Sequence, residues 1–401
     1  MYSEIKRRVA DSYRKNNEDI LALLRRDYPK FVFHEIDAVP SGTIPVFAFH
    51  SVRPELFEFQ LRYLAENRYK TLNSEQAYDA ISGRKKAESN SIVLTFDDGW
   101  ASLWSVAFPI LKRYELNAIA FVIPARVTGQ SLRRLSMDDV WAGRSTVREV
   151  VSQESESPFC TWSELREMYD SGFVDIQSHS NHHNTVFVDD SIVDFVNPTF
   201  SPTFLSGSYS PVVRRNGNDA FESALEYGYP VYSSRPALAS ARRYVEDEDL
   251  CHHCVEYVRR NGGSAFFENR RWRRVLRKLV HEFENRYGVY GRLQDSEERF
   301  AEMLADLGQS KEIIEQNLKS SVRHLCYPWF TGSTLAVKAS RKAGYLSSYW
   351  GLLGRRTTNR TGDNPYYMAR MNDEYVSCLP GHQRTSLRKV LLSKVRRILM
   401  T

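Results

Sequence analysis

The sequence lacks any long uninterrupted run of apolar residues. Nowhere in its 401 residues do about eighteen apolar side chains follow one another, which is the length that a membrane-spanning helix requires. The segment that begins at Met1 also lacks the apolar stretch of a secretion signal. With 42% hydrophobic and 26% charged residues, the composition is that of an ordinary globular protein. We therefore expect a cytoplasmic protein without a spanning helix.

Cysteine and charge of a single sign are also scarce. The five cysteines are odd in number and scattered along the chain, which excludes a disulfide framework and favours a reducing compartment. The net charge of +6 is not concentrated in one long run. Charge alone therefore does not favour a nucleic-acid partner.

Short apolar runs recur in the first half of the chain, and polar side chains typical of active sites follow several of them. We expect strands that end near His50, Asp98 and His179, separated by helical stretches. The rhythm stops between residues 188 and 320 and returns at His324. Alternating strands and helices predict an α/β layer or barrel.

Changes in this rhythm divide the chain into segments. Amphipathic helices are expected over 3–27, an irregular surface excursion over 125–157, a loop over 189–217 and mainly helices over 219–320. The segments are a helical prefix at 1–40, a first α/β part at 41–187, a loop and helical insertion at 188–320, a second α/β part at 321–380, and a basic amphipathic helix at 381–401.

The segment from Ser91 to Trp100 places two adjacent carboxylates, Asp97 and Asp98, between an apolar strand and a glycine turn. Neighbouring carboxylates repel each other and are costly to desolvate, unless one binds a cation and the other a proton. This arrangement suits a metal ligand beside a proton acceptor. Taken alone, the pair is more typical of two solvated aspartates in a turn.

A histidine-rich segment strengthens the metal interpretation. His179 ends a later predicted strand that begins at Val174, and His183 is four residues further on, so one helical turn would place both imidazoles on the same side. Together with one carboxylate they leave coordination positions open, as a catalytic metal site requires.

These residues resemble a known family. Thr95-Phe-Asp-Asp-Gly99 and His179-Ser-Asn-His-His183 are similar to the first two motifs of the polysaccharide deacetylases, carbohydrate esterase family 4. The strand Val46-Phe-Ala-Phe-His50 precedes them, as in the circularly permuted poly-N-acetylglucosamine deacetylase branch. The resemblance covers about residues 44–187 and 320–375. It implies a distorted (β/α) barrel, here with a large helical insertion.

The resemblance also implies roles for the matching residues. Asp98, His179 and His183 would hold a divalent metal, most readily Zn²⁺, with Co²⁺, Ni²⁺ or Mn²⁺ as alternatives, and Asp97 would be the general base. Metal-bound water would then hydrolyse the acetamide of an N-acetylated amino sugar in a glycan or glycan precursor.

The sequence departs from the commonest family pattern at the general acid. The usual late Leu-x-His motif is represented only by Leu379-Pro-Gly-His382, whose spacing is wrong. His50, at the end of the early strand, fits the acid better, because the pKa range of histidine suits that role. The alternatives are a histidine of the core and a histidine that only supports the site without touching the substrate.

The third family motif, Arg-x-Pro-Tyr, appears as Cys326-Tyr-Pro-Trp329, without its arginine. Arg370 is a replacement that would orient Asp97, because a guanidinium can fork onto a carboxylate; a surface arginine is the alternative. We expect Tyr327, Pro328 and Trp329 to line the acetyl pocket, with the Trp329 amide as an oxyanion donor. Trp100 would stack on a sugar ring or pack in the core.

Other functions for the same site remain open. It would also suit an O-acetyl esterase or another amide hydrolase. A non-catalytic carbohydrate-binding protein is less favoured, because Asp97, Asp98, His179 and His183 are all present.

Three further segments have functional and structural interpretations. Cys251-His-His-Cys254 has metal-ligand residue types but no partner pair, so a helix with buried sulfurs is favoured over a structural zinc site. The basic residues of 270–278 suit a solvated helix face, or contact with an anionic glycan or lipid-linked substrate. The helix over 386–400 would dock on the domain or lie on a membrane surface.

Overall fold

The computed structural model describes residues 17–129, 134–200, 211–216, 218–220 and 225–400, with side chains up to residue 395. The expected helices over 3–27 therefore lie partly outside the described residues; within them, 17–24 is helical. None of the described helices combines the length and the apolar character that crossing a membrane requires.

The chain forms two compact units. The first unit comprises Met1–Asn181, Gly308–Phe330 and Gly344–Thr401, and the second comprises His182–Leu307 and Thr331–Ala343. The five segments expected from the sequence follow other boundaries and stay a prediction.

The strands and helices are numbered here in chain order. The strands are β1 Thr43–Ile44, β2 Val46–Phe49, β3 Lys70–Thr71, β4 Ser91–Asp98, β5 Ala118–Val122, β6 Val174–Ser178, β7 Thr185–Phe195, β8 Val213–Arg215, β9 Asn218–Ala220, β10 Pro230–Pro236, β11 Tyr244–Val245, β12 Arg292–Leu293, β13 His324–Cys326, β14 Ser347–Tyr349, β15 Asn359–Arg360 and β16 Met371–Asn372. The helices are α1 17–24, α2 Lys30–Phe33, α3 Pro54–Glu66, α4 Ser74–Ile81, α5 Phe108–Tyr114, α6 Met137–Trp141, α7 Val147–Ser152, α8 Trp162–Asp170, α9 Glu248–Arg260, α10 Trp272–Tyr287, α11 Ser296–Leu318, α12 Thr334–Lys342 and α13 Leu387–Met400.

A parallel sheet organises the first unit. Its strands lie in the order β14-β13-β6-β5-β4-β2-β16, and β3 also pairs with β4. Every residue of β4 and β5 is buried, as expected for strands of a parallel sheet that is covered on both faces. The α/β class and the distorted (β/α) barrel predicted from the sequence are confirmed.

The register of this sheet aligns the carboxyl ends of its central strands. Phe49 pairs with Phe96, and Val122 pairs with both Asp98 and Ser178. Residues that directly follow β2, β4 and β6 therefore emerge at one edge, where functional groups gather in parallel sheets.

The helix before β6 begins with a capping box. Thr161 accepts from the Glu164 amide, while the Glu164 side chain accepts from the Thr161 amide, so each satisfies a free backbone donor of the other. The excursion expected over 125–157 is partly wrong, because α6 and α7 lie within it, each starting with a capping box of its own.

The expectation of a loop over 189–217 is partly wrong, and its residues 201–210 and 217 lie outside the described residues. Residues Thr185–Phe195 form strand β7, which pairs antiparallel with β10, and β8 pairs with β9. The register shifts between the pairs Tyr232–Ile192 and Ser234–Phe187, so the intervening residues of β7 bulge. Asp189 lies in this bulge and accepts from the Ser191 amide. The bulge interrupts the period-two pattern that would identify a strand.

The expectation of mainly helices over 219–320 is also only partly right. Helices α9, α10 and α11 lie there, but so do β10, β11 and β12. Buried side chains of α9 and α10 form one apolar cluster, which includes Leu250, Val258, Trp272 and Leu276. The insertion is therefore helical in its larger part, with antiparallel strands beside the helices.

In this unit, the segment Cys251–Cys254 and the basic residues of 270–278 both lie on helices with apolar side chains buried and polar ones exposed, as the sequence favours. On α9, Cys251 and Cys254 are buried, whereas His252 and His253 are exposed. On α10, Trp272 is buried, while Arg273 is exposed and pairs with Asp194. Neither segment contributes to the metal-ligand clusters found among the described residues.

Helix α13 has some side chains that pack or pair with the rest of the first unit and others that are exposed to solvent. Val390 is buried, and Lys394 forms ion pairs with Asp19 at 3.2 Å and with Glu374 at 2.9 Å. Leu391, Leu392 and Val395 are exposed. The described part of this helix is thus held against the first unit on one side only.

Candidate metal and catalytic site

The strand β4 places Asp97 and Asp98 at the edge of the sheet through a left-handed turn. Asp98 has a φ of 70° and Gly99 a φ of 79°. The positive φ favours glycine at this position, and a Cβ there would approach Cγ1 of Val122 to 3.3 Å, a tight contact. A strained backbone at an aspartate is typical of functional sites.

The three predicted metal ligands lie together. Ligand atoms of Asp98, His179 and His183 are all within 4.8 Å of one another, and all three residues are buried. The Nε2 atom of His179 lies 3.4 Å from Oδ1 of Asp98. One carboxylate and two imidazoles form a donor set that suits a divalent transition metal, so the residues present fit such an ion.

Neighbouring groups orient two of these ligands. The Nδ1 atom of His179 lies 2.9 Å from the Cys326 carbonyl oxygen, which leaves Nε2 for a metal. The indole of Trp100 donates to Oδ2 of Asp98 at 2.9 Å.

The helical turn expected between the two histidines is wrong. The residues after β6 form an irregular loop, in which Ser180 has a φ of 64° and His183 a φ of 57°. Left-handed residues end any helical path, so the histidines approach through loop conformation rather than through helical spacing.

Asp97 is held by Arg370. The guanidinium donates to both carboxylate oxygens, from NH1 at 2.7 Å and from NH2 at 2.8 Å. Arg370 is buried rather than on the surface, and it also donates to the Trp350 carbonyl and to the Thr95 hydroxyl. Burial alone would raise the pKa of Asp97, but the charge of Arg370 and then that of His179 outweigh it and lower this pKa. Asp97 is therefore a carboxylate, able to accept a proton.

His50 is the more accessible neighbour of Asp97. Its Nε2 atom lies 3.9 Å from Oδ2 of Asp97, and 44% of its side chain is exposed. The core alternative for His50 is thus excluded. His382, the other candidate acid, is exposed, and its backbone amide bonds to Asn67 beyond the end of α3.

The predicted substrate contacts differ in exposure. Tyr327 and Pro328 are buried, and the Tyr327 ring packs against Trp350 at 4.6 Å between centroids. Trp329 is half-buried, in a left-handed conformation with a φ of 59°. The ring of Trp100 is half-buried and stacks on Phe159 at 4.8 Å. Trp329 and Trp100 therefore present more surface than Tyr327 does.

Cys326 is a site residue that the sequence interpretation did not assign. Its buried sulfur lies 3.6 and 3.7 Å from the two oxygens of Asp97, and burial raises the pKa of its thiol. The signal was present, since Cys326 occupies the place where the family motif has an arginine. Cys326 also forms a possible ligand group with Asp97 and His179. The cation of Arg370 on Asp97 makes that group less suited to a metal than the group around Asp98.

Comparison with known proteins agrees with these motifs. Residues 84–207 match the polysaccharide deacetylase family. The poly-β-1,6-N-acetyl-D-glucosamine N-deacetylase of Escherichia coli K12 is 31% identical over 136 residues, covering 34% of this chain and 18% of that protein. The protein of the same name from Staphylococcus aureus MSSA476 is 26% identical over 136 residues, covering 34% of this chain and 39% of that protein.

Solved structures show similar chains. The BpsB deacetylase domain from Bordetella bronchiseptica has a TM-score of 0.49 at 18% identity, covering 83% of this chain and 97% of that one. IcaB from Ammonifex degensii has a TM-score of 0.47 at 17% identity, covering 85% of this chain and 96% of that one.

The matched part spans only 18% of the Escherichia coli relative and 39% of the Staphylococcus aureus relative. It nevertheless includes the Asp97-Asp98 pair and both histidines of the metal group, all within residues 84–207. This chain therefore contains a polysaccharide deacetylase domain.

Proposed function

We propose that the protein is a metal-dependent N-deacetylase that hydrolyses the acetamide of an N-acetylated amino sugar in a glycan or glycan precursor. The observation that carries this proposal is the buried carboxylate of Asp97, forked by Arg370, beside an Asp-His-His ligand group. The names of the curated relatives support an N-acetylglucosamine polymer as the substrate class.

Asp98, His179 and His183 would hold the divalent ion, with Zn²⁺ the best match and Co²⁺, Ni²⁺ or Mn²⁺ as alternatives. Such an ion lowers the pKa of bound water and polarises a carbonyl group.

The protein's own groups would manage the protons. Asp97 accepts a proton at its carboxylate as a water attacks the acetamide carbon, because its lowered pKa keeps it ionised. Arg370 fixes the orientation of that carboxylate. His50, which is partly exposed and lies 3.9 Å from Asp97, delivers a proton to the departing amine.

Substrate contacts are proposed for the residues that flank these groups. The half-buried Trp100 offers an aromatic edge to a sugar ring. The amide of Trp329 is an oxyanion donor, and Pro328 and Tyr327 support the wall of the acetyl pocket from within the core.

The test is acetate release from N-acetylhexosamine oligomers and nucleotide sugars, with and without a chelator. Chelator-sensitive release from one class would support the proposal and name the substrate class. Release only from O-acetylated sugars would replace it with an esterase. Absence of release from every substrate, in protein shown to contain metal, would contradict it and favour a carbohydrate-binding protein.

We further propose a peripheral membrane contact through α13. Its open face carries Leu391, Leu392 and Val395, next to the exposed cations Arg388 and Lys389. Apolar side chains flanked by cations are typical of helices that lie on anionic lipid surfaces.

A further inference from the structure

Phe330 contacts both His50 and Arg370, the two side chains proposed to act with the base Asp97. Its ring centroid lies 5.6 Å from that of His50, in an edge arrangement with an interplanar angle of 67°. The guanidinium carbon of Arg370 lies over the same ring, 4.9 Å from its centroid. One side chain thus touches both the proposed acid and the arginine that holds Asp97.

The backbone of Phe330 is held in an unfavourable conformation. Its φ is 62°, and that of the preceding Trp329 is 59°. Two consecutive left-handed residues without glycine are uncommon, and such strain persists only where surrounding contacts impose it. A conformation retained at this cost indicates that the direction of the Phe330 ring matters.

Contacts with Gly351 hold the backbone of Phe330 in this left-handed conformation. Its amide donates to the Phe330 carbonyl at 2.9 Å, and its carbonyl accepts from the Arg370 amide at 3.2 Å. A Cβ at Gly351 would lie 2.6 Å from Cβ of Phe330, so only glycine permits this approach. The same short segment therefore fixes the backbones of both Phe330 and Arg370.

We propose that Phe330 is a positioning residue for catalysis, which sets the orientation of the His50 imidazole and shields the Arg370–Asp97 ion pair from water. This inference rests on the proposed deacetylase function. The imidazole of His50 is 44% exposed, so a ring edge against it restricts rotation that solvent would otherwise allow. A ring over the guanidinium also keeps the local dielectric low, which strengthens the pairing with Asp97.

The first experiment compares Phe330→Leu with Phe330→Tyr. Leucine keeps apolar bulk but removes the ring, and tyrosine retains the ring. We expect kcat of the leucine variant to fall by about ten- to a hundredfold with little change in KM, because misplaced catalytic groups slow chemistry more than they weaken binding. The tyrosine variant should keep most of the wild-type kcat. An unchanged kcat in Phe330→Leu would overturn the proposal, as would equal losses in both variants accompanied by equal losses of thermal stability.

A second variant moves the ring without altering it. Gly351→Ala should push Phe330 away from both neighbours and reduce kcat as Phe330→Leu does, with metal content maintained. Wild-type kcat in Gly351→Ala would contradict the account of how the ring is held.

A third measurement does not depend on turnover. The rate at which diethyl pyrocarbonate modifies His50, followed by peptide mass mapping, should rise in Phe330→Leu but not in Phe330→Tyr, with the exposed His382 as internal reference. If the wild-type protein releases no acetate, the deacetylase proposal fails, and this rate alone decides the role of Phe330. Equal rates of His50 modification in the wild type, Phe330→Leu and Phe330→Tyr would exclude a role of Phe330 in orienting His50.

Discussion

Arg370 and Asp97 form a two-pronged ion pair in the core, with one terminal nitrogen of the guanidinium on each carboxylate oxygen, at 2.7 and 2.8 Å. The arginine comes from the segment just before β16, whereas the aspartate ends β4. The pair therefore joins parts of the chain that are 273 residues apart.

Removing the arginine should destabilise the protein as well as inactivate it. Arg370→Ala leaves a buried carboxylate without its cation, which we expect to lower the free energy of unfolding by about 3–5 kcal/mol. Arg370→Lys keeps the positive charge but cannot bond to both carboxylate oxygens at once, so the free energy of unfolding should fall by less. Urea denaturation measures both, and Arg166→Ala, at an exposed position on α8, should change stability by no more than about 0.5 kcal/mol. Equal stabilities of Arg370→Ala and this control would contradict the assigned pairing.

The two adjacent aspartates should separate into different roles. Asp97→Asn should lower kcat by about 10²- to 10⁴-fold, because it removes a general base, while bound metal stays at the wild-type level. Asp98→Asn should lose metal, since it removes a ligand. Elemental analysis after gel filtration, together with acetate release, measures both effects. Loss of metal from Asp97→Asn with retention in Asp98→Asn would reverse the assignment.

Glu246 in the second unit should make stability depend on pH. Its carboxylate is buried, and it accepts from the Tyr229 hydroxyl at 3.0 Å and from the Arg214 amide at 2.6 Å. Desolvation by burial raises the pKa of Glu246, so the folded state binds this proton more tightly than the unfolded state does. The resulting contribution to stability is complete below the ordinary glutamate pKa of about 4.3 and is lost as the pH rises through the raised value.

Glu246→Gln should consequently raise Tm relative to the wild type at pH 8 but not at pH 4. Thermal unfolding at the two pH values tests this, with Glu268→Gln as a control that removes the same charge at an exposed position. A gain in Tm at pH 4 that is as large as the gain at pH 8 would show that charge is not the cause.

The proposed membrane contact predicts a specific loss of vesicle binding. Leu392→Glu places a carboxylate at a position of α13 that is 51% exposed, so binding to phosphatidylglycerol vesicles should fall without a change in fold. Binding of the wild type should also weaken in high salt. Val193→Glu, at a position of β7 that is 45% exposed, should bind as the wild type does. Cosedimentation measures all three, and failure of the wild type to bind these vesicles would remove the proposal.

Local sequence patterns were sufficient to predict the parallel sheet and the ligand types. The short run Ile92–Phe96 predicts β4, because apolar and β-branched residues in such a run favour a buried strand. In the structure every position of the run is buried. The start of α8 is equally local, since the capping box of Thr161 and Glu164 is complete within four residues.

The remaining features depend on contacts that a local pattern does not contain. The part of β7 from residue 189 onward is predicted as loop, because Ser, Pro and Asn are frequent over 189–217. The bulge around Asp189 also breaks the alternation of a strand, and the pairing with β10 lies far along the chain. The contacts of Cys326 with Asp97 and of Phe330 with His50 arise only from the fold, although the place of Cys326 in the third motif marks it as unusual. The helical turn expected for His179 and His183 followed from spacing alone and was replaced by left-handed loop residues.

The burial of all five cysteines provides an intrinsic reporter of unfolding. Each thiol is free and buried in the folded chain, so a colorimetric thiol reagent should remain nearly silent until the structure opens. Cys160, Cys326 and Cys378 belong to the first unit, whereas Cys251 and Cys254 belong to the second. Timed alkylation followed by mass mapping would therefore record the opening of each unit separately, in the natural sequence and without an added label.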